Sequence, residues 1–251
     1  MITAAQIKWI KSLEQKKFRK QLGLFVAEGN KIVTEMLESR WDVSHVFALE
    51  EWLEQNQLPS NTASVCVSPG QLQRISALKT ANQVVAVAKV PKWSLRQLDV
   101  EGRFTLLLDN IQDPGNLGTI LRTADWFGIE HVICSENTVE LFSPKVIQAS
   151  MGSFMRVKVI YTPPVDFLKE VPPGFPVMGA LLEGESIANV RFPTEGVIVV
   201  GNEAKGISPG LVPLINQKLH IPMVRPIGKK HLPESLNASV AAGIIMSYII
   251  T

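Results

Sequence analysis

From Phe104 onward, short runs of β-branched and other apolar residues alternate with stretches of helical period, and this alternation constrains the fold more than any other feature of the chain. Strands are expected at 104–108, 131–134, 157–160, 177–181, 197–200 and 218–221, with helices at 117–127, 144–151, 165–170 and 235–250. Val197-Ile198-Val199-Val200 is apolar at every position, so such a strand must be covered on both faces. A parallel sheet between helical layers follows. Ligands of such sheets sit beyond the carboxyl ends of the strands, which directs attention to the residues after each one.

The first ninety residues read differently, as a compact α/β domain. The N-terminal stretch to about residues 10–19 reads helical, and Phe25-Val26-Ala27-Glu28-Gly29 reads as a strand and turn. Ile32, Val33, Met36 and Leu37 form the apolar face of a helix over 31–40. Strands follow at 43–49, 65–67 and 84–90, with a short helix at 51–57. Ser68-Pro69 supplies an N-cap and a first-turn proline for another helix. Residues 91–102 carry charge, a proline and no apolar period, and read as a linker between domains at 1–90 and 103–251.

Composition narrows the classes. Hydrophobic content of 46% and charged content of 19% over 251 residues describe a folded globular chain. The longest apolar stretch, 240–250, is too short for a bilayer and contains Ser247, and the N-terminus lacks a secretory pattern, so the cytoplasm or an organelle interior is expected. Two cysteines, Cys66 and Cys134, and four scattered histidines suggest neither disulfides nor a metal site, and both cysteines read as buried hydrophobes. A net charge of +2 carries no strong nucleic-acid signal by itself. Lys8, Lys11, Lys16, Lys17, Arg19 and Lys20 stand against one acid, Glu14, in the first twenty residues. Charge alone favours a solvated helix face there over a phosphate-binding patch.

Three strand ends carry polar motifs. After the first parallel strand comes Asp113-Pro114-Gly115-Asn116-Leu117-Gly118, a turn signal with Asn116 as a candidate N-cap, and then Arg122 in the helix. After the fifth comes Gly201-Asn202-Glu203-Ala204-Lys205-Gly206-Ile207-Ser208. Its spacing approaches a phosphate-cradling loop, but Ile207 stands where that loop needs lysine, which argues against triphosphate hydrolysis. After the sixth come Ile221-Pro222-Met223, a polar loop, and Ser235-Leu236-Asn237-Ala238-Ser239. Ser235 fits an N-cap, and Asn237 and Ser239 need partners if buried. Taken singly, each feature also fits local capping or an ordinary surface residue.

Taken in order, these three motifs resemble those of the SpoU (TrmH) family within the SPOUT superfamily, over about residues 104–250. The N-terminal half looks more weakly like that family's ribosomal-protein-like substrate-binding domain, through the basic run and Gly23-Leu24-Phe25-Val26-Ala27-Glu28-Gly29-Asn30-Lys31. The resemblance implies a deep trefoil knot, a homodimer, and a bent S-adenosylmethionine held in the knot loops. It also implies methyl transfer to a ribose 2′-hydroxyl of RNA, with ribosomal RNA favoured over transfer RNA. The competing readings are a transfer-RNA enzyme and a non-catalytic RNA-binding protein of ribosome assembly.

By the same resemblance, Arg122 contacts RNA phosphate and is a proposed proton acceptor, a demanding role for a group that is normally always charged. Asn116, Glu203, Ser235 and Asn237 are expected to orient Arg122, the hydroxyl and the loops. Gly201, Ile221 and Leu236 are expected to contact the cofactor, with Ala180, Leu181 and Met223 as further walls. Residues 224–234 form a longer loop than the family pattern suggests. Its Arg225, Lys229 and Lys230 either decorate a tolerated surface loop or add phosphate contacts at the site's edge, while Lys16, Lys17, Arg19 and Lys20 are the RNA-contact candidates of the N-terminal half.

Overall fold

The computed structural model describes residues 2–39, 41–223 and 235–250. In chain order the helices are α1 (Ala4–Ser12), α2 (Lys16–Leu22), α3 (Asn30–Glu38), α4 (Glu50–Gln55), α5 (Pro69–Ile75), α6 (Pro114–Trp126), α7 (Pro144–Ser150), α8 (Pro164–Glu170) and α9 (Ala238–Ile250). The strands are β1 (Leu24–Glu28), β2 (Val43–Ala48), β3 (Ala63–Cys66), β4 (Val84–Lys89), β5 (Phe104–Leu108), β6 (His131–Cys134), β7 (Lys158–Tyr161), β8 (Val177–Ser186), β9 (Gly196–Val200) and β10 (Gln217–His220). The chain divides into two compact units, one of residues 1–92 with 140–155 and the other of 93–139 with 156–251.

The first unit is built on a four-stranded sheet of order β1-β4-β2-β3, antiparallel except for the parallel β2–β3 pair. Its helices cap as the sequence suggests at α5, where Ser68 Oγ accepts from Gln71 N at 3.3 Å and the Gln71 side chain accepts from Ser68 N at 3.0 Å. The N-terminal helical stretch is two helices instead, α1 and α2, broken at 13–15. Leu13 is fully buried at the break, and its carbonyl accepts from Arg19 Nη1 at 2.7 Å. Arg19 therefore serves as an internal cap, with its Nε and Nη2 directed to the Glu140 carboxylate. Phe25, Trp41, Phe142 and Phe154 pack edge-on and tilted around the start of β1.

The second unit contains a six-stranded, all-parallel sheet of order β10-β8-β9-β5-β6-β7. The fully apolar strands are buried on both faces: Leu106, Leu107, Leu108, Val197, Ile198 and Val199 are all inaccessible to solvent. At about 25 cal/mol per Å² of apolar surface, strands of this kind supply much of the driving force for the unit. Trp93, Leu95, Leu98 and Val100, in the stretch read as a linker, pack on this core. β8 runs to Ser186, five residues beyond the expected end, because it pairs with β10 twice. Gln217 and Lys218 pair with Met178 and Gly179, the register then shifts across residues 180–184 in a bulge of β8, and Leu219 and His220 resume opposite Glu185 and Ser186. The sheet order places the ends of β9, β8 and β10 side by side.

Candidate active site

β5 ends in Asp109, a buried carboxylate only 2% exposed. Its Oδ2 accepts from Ser208 N at 2.7 Å and its Oδ1 from Asn110 Nδ2 at 2.8 Å. Asn110 adopts a positive φ of 58°, its backbone N–H donates to Ser135 Oγ at 2.8 Å, and its carbonyl accepts from Asn202 Nδ2 at 3.0 Å. The loop after β9 is thus tied to the end of β5 through four polar residues that the sequence reading gave no role: Asp109, Asn110, Asn202 and Ser208. Their one sequence signal is a polar pair directly after Leu106-Leu107-Leu108, where burial demands partners. Asn202 also folds its own loop, its Oδ1 accepting from Ala204 N at 3.0 Å and Lys205 N at 3.1 Å. Gly201 is required by close approach, since a Cβ there would lie 2.4 Å from Ile207 N.

On that frame, four of the expected site residues converge. Asp113, and not Asn116, caps α6, accepting from Asn116 N at 2.9 Å with Pro114 in the first turn. The helix begins three residues earlier than expected because the aspartate precedes the proline, and this frees the Asn116 side chain. Asn116 Nδ2 donates to Glu203 Oε1, and Asn116 Oδ1 accepts from Asn237 Nδ2 at 2.8 Å. Ser235 Oγ donates to the Glu203 carbonyl at 3.1 Å. Ser235 is therefore not the cap of α9. Asn237 takes that place, its Oδ1 accepting from Ser239 N at 3.0 Å, Val240 N at 3.4 Å and Ser239 Oγ at 2.6 Å. Three loops far apart in sequence meet in one directed chain of amides that ends on a carboxylate.

Arg122 does not join this chain. It lies six residues beyond Asn116 on α6, about 9 Å along the axis and about 120° around it at 3.6 residues per turn. Its side chain is exposed and makes no ion pair or hydrogen bond among the described residues. Among the described residues it makes no hydrogen bond or ion pair with Asn116, Glu203, Ser235 or Asn237.

The expected cofactor residues lie on adjacent loops. Ala180 and Leu181 sit in the 180–184 excursion, Gly201 follows β9, Ile221 and Met223 follow β10, and Leu236 precedes α9. Met223 is 43% exposed and Leu236 45%, so apolar side chains stand uncovered at these loop ends. Such a combination of apolar walls, a glycine-tight turn and available backbone groups fits an adenosine moiety. Lys16, Lys17 and Lys20 are exposed on α2, whereas Arg19 is buried and engaged with Glu140, so its guanidinium is not open to phosphate. Arg225, Lys229 and Lys230 lie outside the described residues.

Burial pushes the Cys134 thiol far above its ordinary value, while Cys66, expected to be buried, is exposed at the end of the edge strand β3. His131, at the opposite end of the sheet from these loops, is held below its ordinary value by burial, with the nearby Lys158 and Arg103 charges adding to the effect. Among the described residues no group of three or more His, Cys, Asp or Glu side chains could hold a metal ion, and no helix is long and apolar enough to cross a membrane.

A parallel α/β unit whose strand-end loops join through polar side chains, beside exposed apolar loop residues, defines an α/β protein with its ligand site at the carboxyl ends of its strands. Residues 103–247 match the SpoU rRNA Methylase family, and the chain belongs to it. Residues 4–86 match the MRM3-like substrate binding domain. Over 246 residues the chain is 29% identical to the 23S rRNA (guanosine(2553)-2′-O)-methyltransferase RlmP of Bacillus subtilis, covering 97% of this chain and 95% of that protein. A Porphyromonas gingivalis structure assigned to the TrmH family of RNA methyltransferases superposes with a TM-score of 0.89 at 38% identity, covering 99% of this chain and 98% of the other. The AdoMet-bound rRNA methyltransferase of Sinorhizobium meliloti superposes with a TM-score of 0.87 at 26% identity, covering 99% and 95%.

Proposed function

We propose that this enzyme methylates a ribose 2′-hydroxyl of ribosomal RNA in the cytoplasm, with S-adenosylmethionine as donor. The observation that carries the reading is the convergence of Asn116, Glu203, Ser235 and Asn237 from three separate loops in a chain of this family. When bound, the donor supplies an already activated methyl group on a sulfonium, so the protein's task is position and proton acceptance. The bulged stretch of β8 at 180–184 and the loops at 201–208 and 221–223 would hold the donor's adenosine through backbone groups and apolar walls. Arg122, exposed and without a partner among the described residues, would take an RNA phosphate. Lys16, Lys17 and Lys20 on the first unit would add sequence-independent phosphate contacts, as would Arg225, Lys229 and Lys230.

The reading includes a trefoil-knotted C-terminal segment and a homodimer. The dimer is supported by α9, which is apolar on every side. Ala242, Ile245 and Met246 face inward, yet Val240 remains 50% exposed and Tyr248 47%. A helix hydrophobic all round is ordinarily covered on both sides. A second copy of the chain is the occupant proposed for that face.

Purified protein incubated with labelled S-adenosylmethionine and unmodified ribosomal RNA tests the proposal, together with mapping of ribose methylation in cells with and without the protein. The expected result is one ribosomal position lost in its absence. Methylation of transfer RNA alone would change the substrate. RNA binding without any donor binding by calorimetry would favour the non-catalytic reading.

A further inference from the structure

We infer that the buried Arg19–Glu140 pair is a positioning element for methyl transfer, fixing the helix that carries the RNA-contact lysines to the stretch of chain that supports the donor turn around Gly201. The inference rests on the methyl-transfer reading above.

α2 carries cations of two kinds. Lys16, Lys17 and Lys20 are exposed, whereas Arg19 on the same helix is 3% exposed. All three of its guanidinium nitrogens are engaged within the protein: Nη1 donates to the Leu13 carbonyl at 2.7 Å, Nε to Glu140 Oε1 at 3.2 Å, and Nη2 to Glu140 Oε2. A two-point contact with a carboxylate fixes orientation as well as separation, which a lysine ammonium does not. Stability is a weak reason for such a pair, because removing two charges from water costs about as much as their attraction returns. Its geometry is the stronger one.

Glu140 holds a particular place in the chain. Residues 140–155 belong to the first compact unit, although they stand between β6 and β7 of the second. The same stretch is tied a second time, where Gln148 Nε2 donates to the Glu28 carbonyl at 2.9 Å. Directly before Glu140 runs the loop after β6, and the peptide bond from Val139 to Glu140 carries the chain from one unit to the other. In that loop the Val139 N–H donates to the Ile111 carbonyl at 2.8 Å and Thr138 Oγ1 to the Leu108 carbonyl at 3.2 Å, while Ser135 Oγ accepts from Asn110 N at 2.8 Å. The Asn110 carbonyl accepts from Asn202 Nδ2 at 3.0 Å, and Asn202 folds the donor turn. Ser135 is 5% exposed and Thr138 2%, so water does not soften this support. An unbroken run of bonded groups therefore leads from α2 to the turn after β9.

The chemistry makes that run useful. Lysines on α2 would grip RNA phosphates without reading sequence or fixing a ribose. Transfer needs the 2′-oxygen in line with the methyl carbon, and a misplacement of about 1 Å costs about 10²-fold in rate. Arg19 and Glu140 turn a loose grip into a register between the gripped RNA and the donor.

Arg19→Met combined with Glu140→Met replaces the pair by apolar side chains and strands no buried charge. On full-length protein, single-turnover transfer to saturating unmodified ribosomal RNA should fall by about 10-fold or more. Affinity for that RNA, affinity for S-adenosylhomocysteine and the thermal midpoint should stay close to wild type. Arg19→Lys, which keeps the charge but loses the fork, should give an intermediate rate at unchanged affinities. In a Lys16→Ala, Lys17→Ala, Lys20→Ala background, the methionine pair should add little further loss at saturating RNA, because the grip it registers is gone. A methionine-pair enzyme at the wild-type rate overturns the inference, as does a loss confined to RNA or donor affinity, or one fully additive with that of the lysines. Should the methionine pair fail to fold, Glu140→Asp decides: its shorter reach should slow transfer at unchanged affinities, and a wild-type rate overturns the inference. Wild-type protein that transfers no methyl group to any RNA would instead overturn the underlying function.

Discussion

Replacing Asp109 with alanine removes two acceptors from a nearly dry position and tests whether the loop after β9 is held from beneath. The carboxylate takes the Ser208 N–H at 2.7 Å and the Asn110 amide at 2.8 Å, and the residue is 2% exposed. Hydrogen bonds to a charged group contribute about 1.5–3 kcal/mol each, and both donors here are only half-buried, so water recovers part of the loss. The net cost is expected to be about 3 kcal/mol, or a drop in thermal midpoint of about 6–12 °C for a domain of this size. Asp109→Asn, which keeps one acceptor for Ser208 but sets an NH2 against that of Asn110, should cost roughly half as much. Urea unfolding followed by circular dichroism measures both. Donor affinity by calorimetry should weaken in parallel, because Ser208 and Asn202 carry the turn around Gly201. An alanine variant within about 0.5 kcal/mol of wild type would refute the argument, since surface-like changes fall in that range.

Arg122→Ala should leave stability unchanged, weaken RNA binding, and reduce the slope of log affinity against log salt by about one phosphate's worth, roughly 0.7–0.9. An unchanged slope would show that the guanidinium touches no phosphate. His131 resists protonation in the fold, while its unfolded-state value is near the ordinary 6.5. Stability is therefore full above that pH and falls as the pH drops toward the lower folded value, by up to about 1.4 kcal/mol per pH unit. His131→Leu should remove that slope below about pH 6.5, and parallel curves for both proteins would count against it. Val240→Asp with Tyr248→Asp should convert a dimer to a monomer by light scattering, with the midpoint of the sheet's core little changed. A species of wild-type mass would exclude this face of α9.

Much of this was legible in the chain. Continuous apolar runs such as 197–200 announced a doubly covered parallel sheet, because a β-branched residue on each face must be buried on each face. Ser68-Pro69-Gly70-Gln71 announced a capped helix because all its information is local. Helix starts at the site were less legible. Asn116 and Ser235 looked like caps, but Asp113 and Asn237 hold those positions, and the displaced side chains went to Glu203. Several residues can cap locally, and the competition among them is decided by distant partners. Arg19 shows the same limit: its position in a basic run suggested phosphate, while a carboxylate 121 residues away claimed it.

The sequence by itself determined the strand–helix alternation, the order of the three polar motifs and the family they belong to, since periodicity and motif spacing are properties of neighbouring residues. Tertiary structure alone decided which side chains meet. It made Asp109 a buried tie, joined Asn237 to Asn116 and Asn116 to Glu203, and left Arg122 outside that chain. The reason is physical: hydrogen bonds act over about 3 Å, and only the folded sheet brings loops nearly a hundred residues apart within that reach.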